Sequence, residues 1–243
     1  MDAAEYQLMD ETEGRMWWYR ALHARLIDAL ADTHGTVLDA GCGTGGFLAA
    51  LGRARPELIR HGLEFDPGAA RRAAAKSGAT VLAGNVNALP YADGLFDAVV
   101  SADVLCHAGV HPPRALGELA RVLRPGGRLV INMPAYAWLM SAHDRRVHNA
   151  RRVTAAQLRG WLAGAGFTEV RAGYWNALLL PLMVAQRKLL ARGEAASDVA
   201  PFPPWLDAIF HATTAAERRL KVPLPAGGSV IATAMRPQSG ALR

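Results

Sequence analysis

Apolar and polar positions along the chain fall into blocks whose period switches between that of a helix and that of a strand. From Met16 to Ala31 the apolar residues Tyr19, Leu22, Leu26 and Leu30 recur every three to four positions, which predicts an amphipathic helix. Short apolar runs then predict strands at Thr36–Asp39, Arg60–Glu64, Thr80–Ala83, Phe96–Ala102 and, after the breaker Arg124-Pro125-Gly126-Gly127, at Gly127–Pro134. Between them, Gly46–Arg53, Pro67–Ser77 and Pro113–Leu123 read as helices. Strands that take turns with helices imply parallel pairing through right-handed crossovers, because a tight hairpin cannot join parallel neighbours. The pattern therefore predicts an α/β fold with a doubly wound, Rossmann-like sheet.

Composition adds bounds to this picture. With 243 residues, 51% hydrophobic and 20% charged, the chain can bury one large core, and the two cysteines, Cys42 and Cys106, form no disulfide framework. The opening stretch is acidic and polar, and no run of about 18 apolar residues occurs, so a cytoplasmic protein that does not span a membrane is expected. Residues 1–15 and 237–243 read as poorly tethered. Charge is uneven: residues 1–140 hold 13 Lys/Arg against 15 Asp/Glu, whereas residues 141–243 hold 14 against 6. A solvated arginine-rich surface accounts for that imbalance, as would an anionic substrate, membrane surface or nucleic acid. Only three lysines, no basic tail and no Asn-Pro-Pro-Tyr signature speak against nucleic acid.

The densest chemical signal is "VLDAGCGTGGF", Val37 to Phe47, with four glycines in six positions between a strand and a helix. A merely tight turn needs one or two glycines. So many permit close backbone approach to a ligand at the carboxyl edge of the sheet. The spacing Gly41-x-Gly43-x-Gly45, with Asp39 before the first glycine, departs from the dinucleotide fingerprint G-x-G-x-x-G.

This stretch resembles the first motif of class I S-adenosylmethionine-dependent methyltransferases. "GLEFDP", "GNVNALPYADGLFDAVVSADVL" and "LGELARVLRPGGRLVINMP" are similar to that family's later motifs and follow in its order. The resemblance implies a seven-stranded sheet, S-adenosylmethionine as cofactor, and methyl transfer as the activity. It implies that the loop of Gly41, Cys42, Gly43 and Gly45 meets the methionine part of the cofactor while Asp39 places its ammonium. Glu64 would bond both ribose hydroxyls, Phe65 would pack on adenine, and Asn85, with Val86 and Ala102, would complete the site. Asn85 stands where the family commonly has Asp, which weakens the contact expected with the adenine amino group.

The flanks resemble a bacterial subgroup with an aromatic N-terminal helix, here "MWWYRALHARLIDAL", and an "HD…H…RR(Y/V)T" segment after the fifth strand, with Val153 in the usual Tyr place. By that resemblance the N-terminal helix closes over the cofactor through Trp18 and Arg20. The acceptor would lie among Trp17, Tyr19, Tyr136 and His148.

A general base is needed only when the acceptor must lose a proton. His143 is the leading candidate, with Asp144 to orient it and His107 as runner-up; a solvated helix end accounts for the same segment. His143 and His148 are five apart, about 140° on one helix, so they cannot share a target unless the helix breaks. No familiar metal-ligand spacing occurs.

The domain plan is a single domain: an N-terminal cap at 1–35, a core at 36–176, a helical insertion at 177–228 and a last strand at 229–236. The insertion would serve as a lid, a dimer interface or a peripheral membrane patch. Its apolar character suits a small hydrophobic or amphiphilic acceptor, anionic at one end. The alternatives are a nucleic-acid methyltransferase and a non-catalytic binding subunit of the same fold.

Overall fold

The computed structural model describes residues 3–186, 202–220 and 222–238. Seven strands form one sheet in the order β3-β2-β1-β4-β5-β7-β6. They are β1 (Thr36–Ala40), β2 (Ile59–Glu64), β3 (Thr80–Ala83), β4 (Phe96–Ala102), β5 (Leu123–Pro134), β6 (Thr168–Trp175) and β7 (Ser229–Met235). The first five run parallel, as the alternating blocks require, while β7 inserts antiparallel between β5 and β6.

Side chains alternate across the sheet with period two. Leu38, Val99, Leu129 and Ile131 point to one face, where α5 (Pro112–Val122) and α7 (Ala155–Gly164) cover them. Val37, Ala98, Val100 and Val130 point to the other, under α2 (Trp17–Ala29) and α3 (Gly46–Ala54). Central strands buried on both sides explain why they read as continuous apolar runs. Local chemistry sets the helix ends: Asp66 caps α4 (Pro67–Ser77) by accepting from Ala69 N at 2.7 Å, and Gly78 closes it with a left-handed φ of 67°. His111 caps α5 in the same way, accepting from Arg114 N, which gives that histidine a structural duty.

The N-terminal stretch departs from expectation. Ala3–Thr12 forms α1, and residues 3–15 are not loose: Tyr6 bonds Glu64, and Glu13 bonds Thr44 and pairs with Lys76. These tethers are polar and long-range, so the weak apolar periodicity of the segment did not show them.

In the region 177–228, α8 (Leu180–Ala185) carries Pro181 in its first turn, where proline is tolerated. Residues 187–201 of the expected helical insertion lie outside the described residues. A second helix, α9 (Pro204–Leu220), lies on α2. Its Asp207 accepts from Trp17 N at 2.7 Å and pairs with Arg20, and its buried Glu217 pairs with Arg25 at 3.1 Å. Cap and insertion thus form one roof over the carboxyl edge of β1, β4 and β5. Among the described residues, no helix is long and apolar enough to cross a membrane.

Candidate active site

The floor of the site is the turn between β1 and α3. Gly41 and Gly45 have φ of 98° and 91°, and a Cβ there would stand 2.2 Å from Val104 Cγ2 and 2.7 Å from Ala73 Cα. Only glycine fits both positions. Gly41 N and Cys42 N donate to Leu63 O, and Gly43 N donates to Glu64 Oε2 at 2.9 Å, which ties the loop to the end of β2.

Three carboxylates gather beside this loop. Asp39 is 3% exposed, and burial, with Glu64 and Glu13 nearby, pushes its carboxyl up to about 8. Glu64 accepts from Tyr6 Oη at 2.6 Å and from Asp66 N at 3.1 Å on one oxygen, and from Gly43 N on the other. Glu13 accepts from Thr44 Oγ1 at 2.6 Å. Burial also drives the Cys42 and Tyr6 protons well above their ordinary range, so both stay neutral. A desolvated acid cluster beside backbone that admits close approach fits a ligand carrying an ammonium, a sulfonium and hydroxyl groups. It does not fit a bare phosphate.

From this loop a cavity of about 580 Å³ runs under the roof. Its near end is lined by Asp39, Gly41, Cys42, Gly43 and Ala102, and its far end by side chains of α2, α8 and α9. There Trp17 meets Phe210 edge-on at 5.5 Å, Phe210 meets Phe202 at 5.3 Å, and Leu179, Leu182, Met183 and Leu206 complete an apolar wall. His143 and His107 both line the cavity. Burial lowers the His107 value below the ordinary imidazole range, which keeps its ring neutral at physiological pH.

Several sequence-derived site residues land elsewhere. Arg20 does not line the cavity, because Asp207 and the Arg15 carbonyl hold it on the outer side of α2. Asp144 is fully buried and accepts two-pronged bonds from Arg152, with Asn149 and Ser141 adding more. Arg152 holds its carboxyl below the usual range, so it anchors the segment at the cavity wall, where Asp144 lies with His143. The helix does break: α6 ends at Arg146, and His148 follows at φ 58° as an exposed residue that does not line the cavity. Tyr136 is stacked between Trp138 and Tyr174, off the cavity. Phe65 is exposed at the rim beside Glu64, and Val86 is packed in the core. Asn85 turns its Oδ1 back to Asn87 N at 2.9 Å in a separate shallow pocket, a local turn that competes with the adenine contact expected of it. Trp17, Trp18 and Tyr19 line the cavity.

Tyr6, Glu13 and Asn176 also line or close the site and carried no motif. Asn176 follows β6 at a left-handed φ of 59°, and the run "YWNALLLP" marks only a strand end before an apolar stretch.

Residues 38–131 match the family described as "Methyltransferase domain". Malonyl-[acyl-carrier protein] O-methyltransferase of Herminiimonas arsenicoxydans is 36% identical over 130 residues, 54% of this chain and 47% of that protein. Demethylmenaquinone methyltransferase of Thermobifida fusca is 38% identical over 136 residues, 53% of this chain and 56% of its own. The chain spans about half the length of these curated relatives. In three dimensions, a SAM-dependent methyltransferase of Thermotoga maritima, described as a possible histamine N-methyltransferase, superposes with a TM-score of 0.61 at 20% identity, covering 96% of this chain and 95% of that one. At that identity the likeness establishes the fold.

Proposed function

We infer that this chain, whose core belongs to the class I S-adenosylmethionine-dependent methyltransferases, transfers a methyl group from that cofactor to a small acceptor with a largely apolar body. One observation carries the reading: a single cavity joins the acid-lined glycine loop to an apolar, aromatic-walled chamber. Bound at the loop, S-adenosylmethionine supplies a methyl group on a sulfonium leaving group. The chain's own contribution is placement. The Asp39 carboxyl faces the ammonium end, Glu64 the ribose hydroxyls, and the Gly41–Gly45 backbone lets both approach. The roof formed by α2, α8 and α9 excludes water, and apolar side chains there favour an apolar acceptor. His143, with His107 as the second candidate, takes the proton from an acceptor hydroxyl, amine or acidic carbon. The names of the relatives, one acting on an acyl-carrier-bound acid and one on a quinone precursor, differ in acceptor, so the acceptor class rests on the chamber.

The test is transfer of labelled methyl from S-adenosylmethionine to a panel of phenols, quinols and fatty acids, with tRNA alongside. Label in the organic-extractable panel is expected. Label in tRNA alone would overturn the acceptor class, and absence of both transfer and S-adenosylhomocysteine binding would overturn the methyltransferase reading.

A further inference from the structure

Two polar side chains in the chamber wall have no partner. The Asn176 residue is fully buried, and neither its Nδ2 nor its Oδ1 makes a hydrogen bond. Trp17, 8% exposed, has an equally unpartnered Nε1–H. Both residues line the cavity, on the side where Leu179, Leu206 and Phe210 also stand. Buried polar atoms without partners are rare because each forfeits its bonds to water, so two in one chamber call for an explanation.

Backbone geometry does not provide it. The positive φ of Asn176 explains a choice among Asn, Asp and Gly, but glycine would serve the turn without burying a carboxamide. The main chain there is already satisfied: Asn176 N donates to Glu217 Oε1 at 2.6 Å, and Asn176 O accepts from Gly228 N at 3.2 Å. Glu217 also accepts from Ala177 N and Leu178 N and is itself paired with Arg25, whose guanidinium sits 4.6 Å over the Trp175 ring. The carboxamide is thus carried on a fixed backbone with its own bonds unspent. Trp17 is likewise fixed, by Asp207 at its backbone N–H and by Phe210 at its ring.

We propose that Asn176 and Trp17 are the recognition site for the polar head of the acceptor, and that this head both donates and accepts hydrogen bonds, as a carboxamide or a hydroxyl beside a carbonyl does. The proposal rests on the methyltransferase reading for the word acceptor, though not for the binding itself. A carbonyl oxygen of the head accepts from Asn176 Nδ2, and a further acceptor oxygen takes the Trp17 Nε1 N–H. The neighbouring N–H or O–H donates to Asn176 Oδ1. A group that only accepts leaves Oδ1 orphaned, and an apolar group leaves all three atoms orphaned, so the pair selects by the penalty on the wrong ligand.

The experiment compares two probes of similar size, 1-naphthamide and 1-methylnaphthalene, by calorimetry on the full chain, with and without saturating S-adenosylhomocysteine. Wild type is expected to bind the amide about tenfold or more tightly, the worth of one to two buried hydrogen bonds. Asn176→Gly, which keeps the backbone conformation, should abolish the preference. Asn176→Asp keeps shape and φ while losing the donor, so it reads the same difference should the glycine variant melt early. Equal affinity for the two probes, binding of neither, or a preference that survives these substitutions would overturn the proposal. Failure of S-adenosylhomocysteine to bind while the amide preference persists would instead sink the methyltransferase reading and leave the head-group site standing.

Discussion

Tyr6 of α1 donates its hydroxyl proton to Glu64 Oε1 at 2.6 Å, so the first helix touches the carboxylate assigned to the cofactor's ribose. Glu64 already accepts from Gly43 N and Asp66 N, and two ribose hydroxyls cannot add to three existing donors without displacing one. The backbone donors are built into the loop. Tyr6 is the one that can leave.

Tyr6→Phe is therefore expected to tighten S-adenosylhomocysteine binding about three- to tenfold, because the competing bond no longer has to be broken. Calorimetry on the two proteins decides it. Equal or weaker binding by the variant would mean that Tyr6 stays in place, or helps, when the cofactor is bound.

Asp39 leads to a second expectation. Burial raises its carboxyl to about 8 in the ligand-free protein, so it holds its proton at pH 7, and an ammonium seated against it would strip that proton. S-adenosylhomocysteine binding at pH 7 should release most of one proton, and the release should fade above pH 8. Heats measured in buffers of different ionisation enthalpy give the count directly. The same shift has a sign for stability: the folded state favours the protonated acid, so the ligand-free fold should lose stability as pH rises from 3.8 to about 8. No proton release at pH 7 would remove Asp39 from the ammonium site.

Gly43 and Gly45 should separate binding from folding. A Cβ at Gly43 meets only the flexible end of Met9, 2.9 Å away, whereas one at Gly45 meets backbone atoms of Ala73 at 2.7 and 2.9 Å. Gly43→Ala, at a left-handed φ of 54°, is expected to cost about 1 kcal/mol of stability and to bind S-adenosylhomocysteine at least tenfold more weakly. Gly45→Ala is expected to lower the melting temperature by several degrees, since α3 and α4 must move apart. Equal loss of stability in both would mean that the loop is structural throughout.

How much of this was legible beforehand depends on which interactions are local. The strands and helices from Thr36 to Pro134 showed because period and punctuation are written in adjacent residues, and the glycine loop showed because its backbone demands glycine in sequence. Roles of single polar residues did not show. Asp144 and Arg20 look alike beside His143 and Trp18, but Arg152 holds Asp144 at the cavity wall while Asp207, far along the chain, holds Arg20 off it. The antiparallel place of β7 was equally hidden, since an apolar run has no direction. Tyr6, Asn176 and Glu217 matter through partners 39 or more residues away in sequence, or through having none, and no local pattern encodes that.

Glu217 carries a stability expectation. It is buried, pairs with Arg25, and accepts the backbone N–H groups of Asn176, Ala177 and Leu178. Glu217→Ala strands a buried guanidinium and three donors, a loss of about 3 kcal/mol or more, or roughly 6 °C or more in melting temperature for a chain of this size. A melting temperature within a degree or two of wild type would show that the roof is not held by this pair.

The proton-transfer step is tested last, on His143 and His107. Both line the cavity, and both are the imidazoles that the sequence marks as candidate bases. With His143 as base, His143→Ala should lower the turnover rate about 10²–10⁴-fold with S-adenosylhomocysteine affinity unchanged, the pattern of a group that acts only in the chemical step. His107→Ala should then act chiefly on stability, because its ring is buried beside Val147. If the roles are reversed, the pH profile will show it as well: burial pushes the His107 value down, so the acid limb would fall below pH 6.5, where an ordinary imidazole titrates. Full activity in both variants would mean that orientation at the sulfonium suffices and that the acceptor arrives already ionised.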